Sequence, residues 1–169
     1  PLYLYTKNQM EPIVNKVAES GLITLDPVQF LPTPESIKTF DLKNYLFREL
    51  ILKEKDFRAA LKETDWSVYD QKQVAVFCSV DAIIPAWAYM LIASYLPKAA
   101  TIFFGTEQQL LDAIIAENIK QFEINPYKDQ RIVIKGCGDI FVPHCAYMYI
   151  TQKLQPIVKS IMYGEPCSA

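Results

Sequence analysis

The chain has 169 residues, 51% hydrophobic and 21% charged, a balance that excludes a disordered polypeptide and suits one domain hiding roughly 70% of its unfolded surface. Seventeen Lys and Arg against nineteen Asp and Glu leave a net charge of −2. No basic excess is present to drive counterion release, so nucleic acid is not an expected partner.

In chain order, Met10-Glu11 reads as a natural start and residues 1–9 as a non-native or disordered extension. Ile13–Ser20 reads as a short helix ended by Gly21, and Leu22–Leu25 as a strand. Pro27, Pro32 and Pro34 mark an irregular loop before a strand over Ile37–Phe40. Leu42–Leu52 looks helical with Asp41 as its cap, and Asp56–Glu63 looks helical too. The run Lys53–Asp56 reads as a solvated face.

From Tyr69 onward two segments match at an offset of 58 residues: Tyr69/Tyr127, Asp81/Asp139, Pro85/Pro143, Ala88/Ala146, Tyr89/Tyr147, Met90/Met148, Ile92/Ile150 and Leu96/Leu154. One inserted residue moves the offset to 59 for Pro97/Pro156, Ile102/Ile161 and Gly105/Gly164. Each segment reads as strand, turn, helix, strand. The first gives Val74–Cys78, a turn with Asp81, a helix from Pro85 to Leu96, and Thr101–Phe104. The second gives Arg131–Gly136, Pro143–Leu154 and Ser160–Tyr163. Between them Leu110, Leu111, Ile114, Ile115, Ile119 and Phe122 form one apolar helical stripe, opened by a Thr106/Gln109 capping box. The sixteen uncharged residues Ala82–Pro97 fall short of the about 20 needed to span a bilayer, so the expectation is a helix buried on more than one face and no membrane partner.

Short strands alternating with helices predict an α/β fold: duplicated βαβ units forming one mostly parallel sheet with helices on both faces. Numbering the four repeat strands in sequence, the expected order is 2-1-3-4. The organisation is a single domain over residues 10–169. It comprises N-terminal elements (10–66), a first repeat (67–105), a linking helix (106–126), a second repeat (127–164) and a tail (165–169).

Parallel strands share a C-terminal edge, where open α/β proteins bind ligands. Cys78 and Asp81 follow the first repeat strand, Cys137 and Asp139 the third, Glu165 and Cys167 the fourth. These six are the candidate site, facing two helix N-termini that favour anions and thiolates. Three thiolates, Cys78, Cys137 and Cys167, would suit zinc or an iron–sulfur centre, and one low-pKa thiol would suit sulfur transfer. The bland readings are core cysteines, turn-capping aspartates, a surface His144, and Cys145, Trp87, Tyr89 and Tyr147 as packing residues. Gly136-Cys-Gly138 is a lone G-x-G, a weak nucleotide signal. None of the four cysteines forms a C-x-x-C pair and the first ten residues carry no signal-peptide pattern, so the expected location is a reducing cytoplasm.

The segments Leu50–Arg58, Cys78–Met90, Ile134–Cys137 and Lys159–Ser168 resemble the bacterial domain-of-unknown-function family 2480, from about residue 10 to the end. The resemblance implies little chemistry. Genes of that family neighbour iron–sulfur cluster assembly genes, which makes the assembly proteins implied partners. Carried over by motif, it favours Cys78, Asp81, Cys137, Glu165 and Cys167, and weakens any role for His144 and Cys145. Three functions stay open: an accessory factor of iron–sulfur or sulfur metabolism with a cysteine-lined rim, a homodimeric interaction module without catalysis, and a small-molecule enzyme using Asp81 and Asp139.

Overall fold

The computed structural model describes residues 21–136 and 138–164; the expected helix over Ile13–Ser20, the extension 1–9 and the tail 165–169 lie outside them. Among the described residues are eight strands and four α-helices. They are β1 (Leu22–Leu25), β2 (Ile37–Asp41), β3 (Leu46–Phe47), β4 (Ile51–Leu52), α1 (Glu54–Glu63), β5 (Gln73–Phe77), α2 (Ala86–Tyr95), β6 (Thr101–Phe104), α3 (Glu107–Gln121), β7 (Arg131–Lys135), α4 (His144–Leu154) and β8 (Ser160–Gly164). Helices and parallel strands interleave, so the fold is α/β.

The expected single sheet is corrected. Two parallel sheets form, in the orders β2-β5-β6 and β1-β7-β8, with a separate antiparallel hairpin β3-β4. The reason is edge saturation. A strand has two hydrogen-bonding edges, and the two upstream strands each fill one: β2 lies along β5, and β1 along β7. β6 and β8 take the remaining edges. Neither central strand keeps an edge for the other, so the crevice expected between the first and third repeat strands has no basis in strand pairing.

The chain divides into two compact units, one holding residues 27–122 with 142–150, the other the described parts of 21–26, 123–141 and 151–164. Their internal geometry repeats at the offsets seen in the sequence. Gln73 partners Thr101, and Arg131, 58 residues on, partners Ser160, 59 residues beyond Thr101. Gln71 and Asp129 both have positive φ (58° and 59°), and their N–H groups donate to Lys98 and Ile157 carbonyls at 2.9 Å. Gly105 directly follows β6 and Gly164 closes β8, with φ of 147° and 139°.

The larger unit is held by a core of Phe40, Leu42, Phe57, Leu61, Val74, Val76, Ala88 and Ile92, all at most 3% exposed. Each large apolar side chain buried this way contributes roughly 1.5–3 kcal/mol. Phe40 stacks with Tyr45 and Trp66, at 5.1 and 5.5 Å between centroids, and Trp66 Nε1 donates to the Leu61 carbonyl. The Thr106/Gln109 capping box forms as the sequence predicts. In α3 Leu110, Ile115 and Ile119 are buried.

Two local expectations fail. Leu42–Leu52 is no helix: a short 3-10 turn over Leu42–Tyr45 leads into the β3-β4 hairpin. Asp41 caps that turn, but its carboxylate also ties the turn to a distant loop, and Phe40–Tyr45 stacking fixes the chain before a second helical turn can follow. Helix α2 carries no charge and is apolar on nearly all sides, yet only Ala88 and Ile92 are buried within it, and Met90 is 73% exposed. One stripe suffices to cover β5, so the opposite side stays bare. No helix of the described residues is long and apolar enough to cross a membrane.

Gly105 cannot be replaced without strain. Its φ suits glycine, and a Cβ there would sit 2.7 Å from the Phe103 ring and 2.7 Å from Gln109 Oε1, which accepts the Thr106 N–H. Gly105→Ala is expected to cost about 1–3 kcal/mol in urea unfolding; an unchanged midpoint contradicts this account.

Candidate functional site

β2, β5 and β6 run in parallel, so their C-terminal ends share one edge of the larger unit. Register sets what meets there: Asp41 pairs with Phe77 and Val76 with Phe104. The chain leaves β5 through Cys78 and Ser79 and enters α2 after Pro85, while β6 passes through Gly105 into α3. These loops enclose an open cleft of about 430 Å³, lined among others by Cys78, Asp81, Tyr89, Phe104, Thr106 and Gln109. Among the described residues Asp81 is its one carboxylate, and no Lys or Arg lines it.

Asp41 anchors the thiol's loop. Its Oδ1 accepts the Lys43 N–H at 2.9 Å and the Ser79 N–H at 3.0 Å, one residue beyond Cys78. Burial alone would raise the Asp41 carboxyl; hydrogen bonds from Ser79 and Lys43, with the Lys43 charge, outweigh it and hold the carboxyl below its ordinary value. On the other wall Tyr89 and Phe104 meet edge to face at 5.1 Å. Burial, and then the neighbouring Cys78, push the Tyr89 hydroxyl up.

The smaller unit shows what closes such a cleft. Gly136 holds the place of Cys78, and Tyr163 that of Phe104, at the repeat offsets. The Tyr163 ring lies over Gly136, where a Cβ would come within 2.5 Å of it, and its hydroxyl donates to the Gly136 carbonyl at 3.1 Å. Phe104 has no hydroxyl for that bond and turns onto Tyr89 instead, so Cys78 lines open space.

Of the candidate residues, Cys78 and Asp81 come together in this cleft. Asp139 is exposed in a bend after β7, in the other unit. Cys137, Glu165 and Cys167 lie outside the described residues. Among the described residues no three His, Cys, Asp or Glu side chains converge as a metal site would require. His144 is exposed at the start of α4. The Cys145 thiol meets Asp112 Oδ1 at 3.5 Å; burial, then Asp112, push it up, which fits a packing residue. The sequence reading missed Asp41, Phe104 and Gln109. Asp41 was visible as a cap, but its bond to Ser79, 38 residues away, leaves no local trace.

The family described as "Protein of unknown function (DUF2480)" matches residues 11–169, and the chain belongs to it. No curated protein and no solved structure matches.

Because Asp41 holds its proton less tightly in the folded protein than in the unfolded chain, its contribution is present above the ordinary carboxylate range and is lost as pH falls through the lowered value. Asp41→Ala is expected to cost about 1 kcal/mol at neutral pH. Urea unfolding at neutral and strongly acidic pH should show the variant losing less stability on acidification than the parent. Equal losses count against the anchor.

Proposed function

We propose that this chain is a cytoplasmic accessory factor of sulfur or iron–sulfur metabolism that handles sulfur on Cys78. One observation carries the reading: Cys78 and Asp81 line a single cleft at the C-terminal ends of parallel strands, where α/β proteins take small ligands. A thiolate is the nucleophile of sulfur exchange. Attack by Cys78 on the outer sulfur of a donor persulfide forms a new S–S bond on Cys78, breaks the donor's, and releases the donor as its thiolate. Asp81 is the nearby group to exchange a proton with the incoming molecule. Val76, Phe77 and Ile84 and the rings of Tyr89 and Phe104 give the cleft apolar walls around the sulfur. A zinc or iron–sulfur centre would instead need Cys137 and Cys167 beside Cys78.

A second reading, a homodimeric module, draws on Met90, exposed on an uncharged helix. A monomer in sedimentation at high concentration removes it.

The main reading is tested by alkylating the folded protein with iodoacetamide and following each cysteine by mass spectrometry. Cys78 is expected to react about tenfold or more faster than Cys145, whose thiol is pushed up and engaged by Asp112. A donor persulfide should add one sulfur to the parent and none to Cys78→Ser. A Cys78 no faster than Cys145, or sulfur uptake that survives Cys78→Ser, ends the proposal. Iron or zinc in anaerobically purified protein, lost in Cys78→Ser, transfers it to the metal form.

A further inference from the structure

Attack on sulfur needs only the Cys78 thiolate; what else the incoming molecule can carry is set by the rest of the cleft wall. Among the described residues that wall holds one formal charge, the Asp81 carboxylate, three residues beyond the thiol. No ion pair of the described residues uses it. Tyr89 and Phe104 add two aromatic rings, edge to face at 5.1 Å, and Phe104 is 75% exposed. Among the described residues no Lys or Arg lies over either ring; the cation–ring contacts that form are on Phe47 and Trp87. A carboxylate without a counter-ion, beside open π-surface, attracts an ammonium group and repels an anion.

The N-terminus of α3 would favour an anion, but it is answered within the helix. The Gln109 N–H donates to Thr106 Oγ1, the Gln109 side chain accepts the Thr106 N–H, and Glu107 puts a negative charge in the first turn. Pro85, which precedes α2, lines the neighbouring groove and not the cleft. At about 430 Å³ the cleft has room for a small molecule. We propose that the cleft selects sulfur donors by charge: it takes a small sulfur compound that carries an ammonium group, an aminothiol persulfide or disulfide, and disfavours one that carries a carboxylate or phosphate. The ammonium group is held by Asp81 and the two rings while the donor sulfur meets Cys78. This donor class rests on the sulfur reading of Cys78, and the charge selection is measurable apart from it.

The test uses the full chain and three symmetric disulfides of similar size: cystamine, which ends in ammonium groups, hydroxyethyl disulfide, which is neutral, and dithiodipropionate, which ends in carboxylates. The Cys78 thiolate attacks one sulfur; a mixed disulfide forms on Cys78, the reagent's S–S bond breaks, and its other half leaves as a thiolate. Each rate on Cys78 is followed by mass spectrometry at low ionic strength and divided by the rate of a neutral model thiol, N-acetylcysteine amide, which removes the reagents' own differences. On this scale cystamine is expected to react about fivefold or more faster than dithiodipropionate, with the neutral reagent between them. In about 1 M salt the ratio should fall toward one. Asp81→Asn should bring it within about twofold of one at low salt. Phe104→Leu, at an exposed position, should lower the cystamine rate about twofold against that of the neutral reagent. Equal rates, a preference for the anionic reagent, no reaction with any of the three, or a cation preference that survives Asp81→Asn overturns the assignment. Sulfur transfer is read separately, with the persulfides of cysteamine and of mercaptopropionate. Sulfur uptake on Cys78 without charge preference keeps the sulfur reading and ends the donor class; charge preference in exchange with no uptake from either persulfide ends the sulfur reading, and the donor class with it.

Discussion

A β-strand has two edges, and in this chain each central strand fills both from its own unit. β5 lies between β2 and β6. Everything at the cleft depends on that pairing. The β2-β5 register sets Asp41 opposite Phe77, within reach of the Ser79 N–H; the β5-β6 register sets Phe104 opposite Val76. A slip of one residue would turn each of these side chains to the other face. The core that fixes the register is therefore also what fixes the thiol, through Phe40 on β2 and Val74 and Val76 on β5.

The two units show how little separates a closed strand end from an open one. Backbone geometry is shared: the same left-handed position before the central strand, the same ladder register, the same glycine at the end of the last strand. Two of the side-chain differences decide the strand end. Glycine under a tyrosine lets a ring lie flat on the backbone, with the hydroxyl fastened to the carbonyl beneath. A cysteine adds a Cβ where that ring would lie, and phenylalanine lacks the hydroxyl. The pair Cys78 and Phe104 thus undoes both halves of the closure, the steric room and the hydrogen bond, and opens the space that the thiol faces.

Much of the local structure was legible because it is written locally. β6 is where the apolar run Thr101–Phe104 predicts it, β5 is shifted by one residue toward the N-terminus, β7 ends one residue earlier than predicted, and the Thr106/Gln109 box forms. What failed was non-local. The second neighbours of β5 and β7 come from strands whose signals were weak, four or five residues each, and partner choice between distant strands leaves no periodicity to read. The hairpin over Leu46–Leu52 was hidden for a related reason. Its turn uses Arg48 and Glu49 at positive φ where sequence rules expect Gly, Asn or Asp. Of the candidate site, Cys78 and Asp81 were legible because they follow one strand within four residues, and a short loop cannot carry them far apart.

The loop that holds them has two faces. Cys78 and Val80 look onto the cleft, Ile83 and Pro85 line a second groove with Leu50, Ile51 and Leu52 of the β3-β4 hairpin, and Asp81 and Ala82 belong to both linings. Among the described residues Asp81 is the one charged side chain lining either opening, and it is exposed, so water screens it. One short loop therefore sets part of the wall of both openings, and the Asp41–Ser79 bond that ties its start to β2 bears on both.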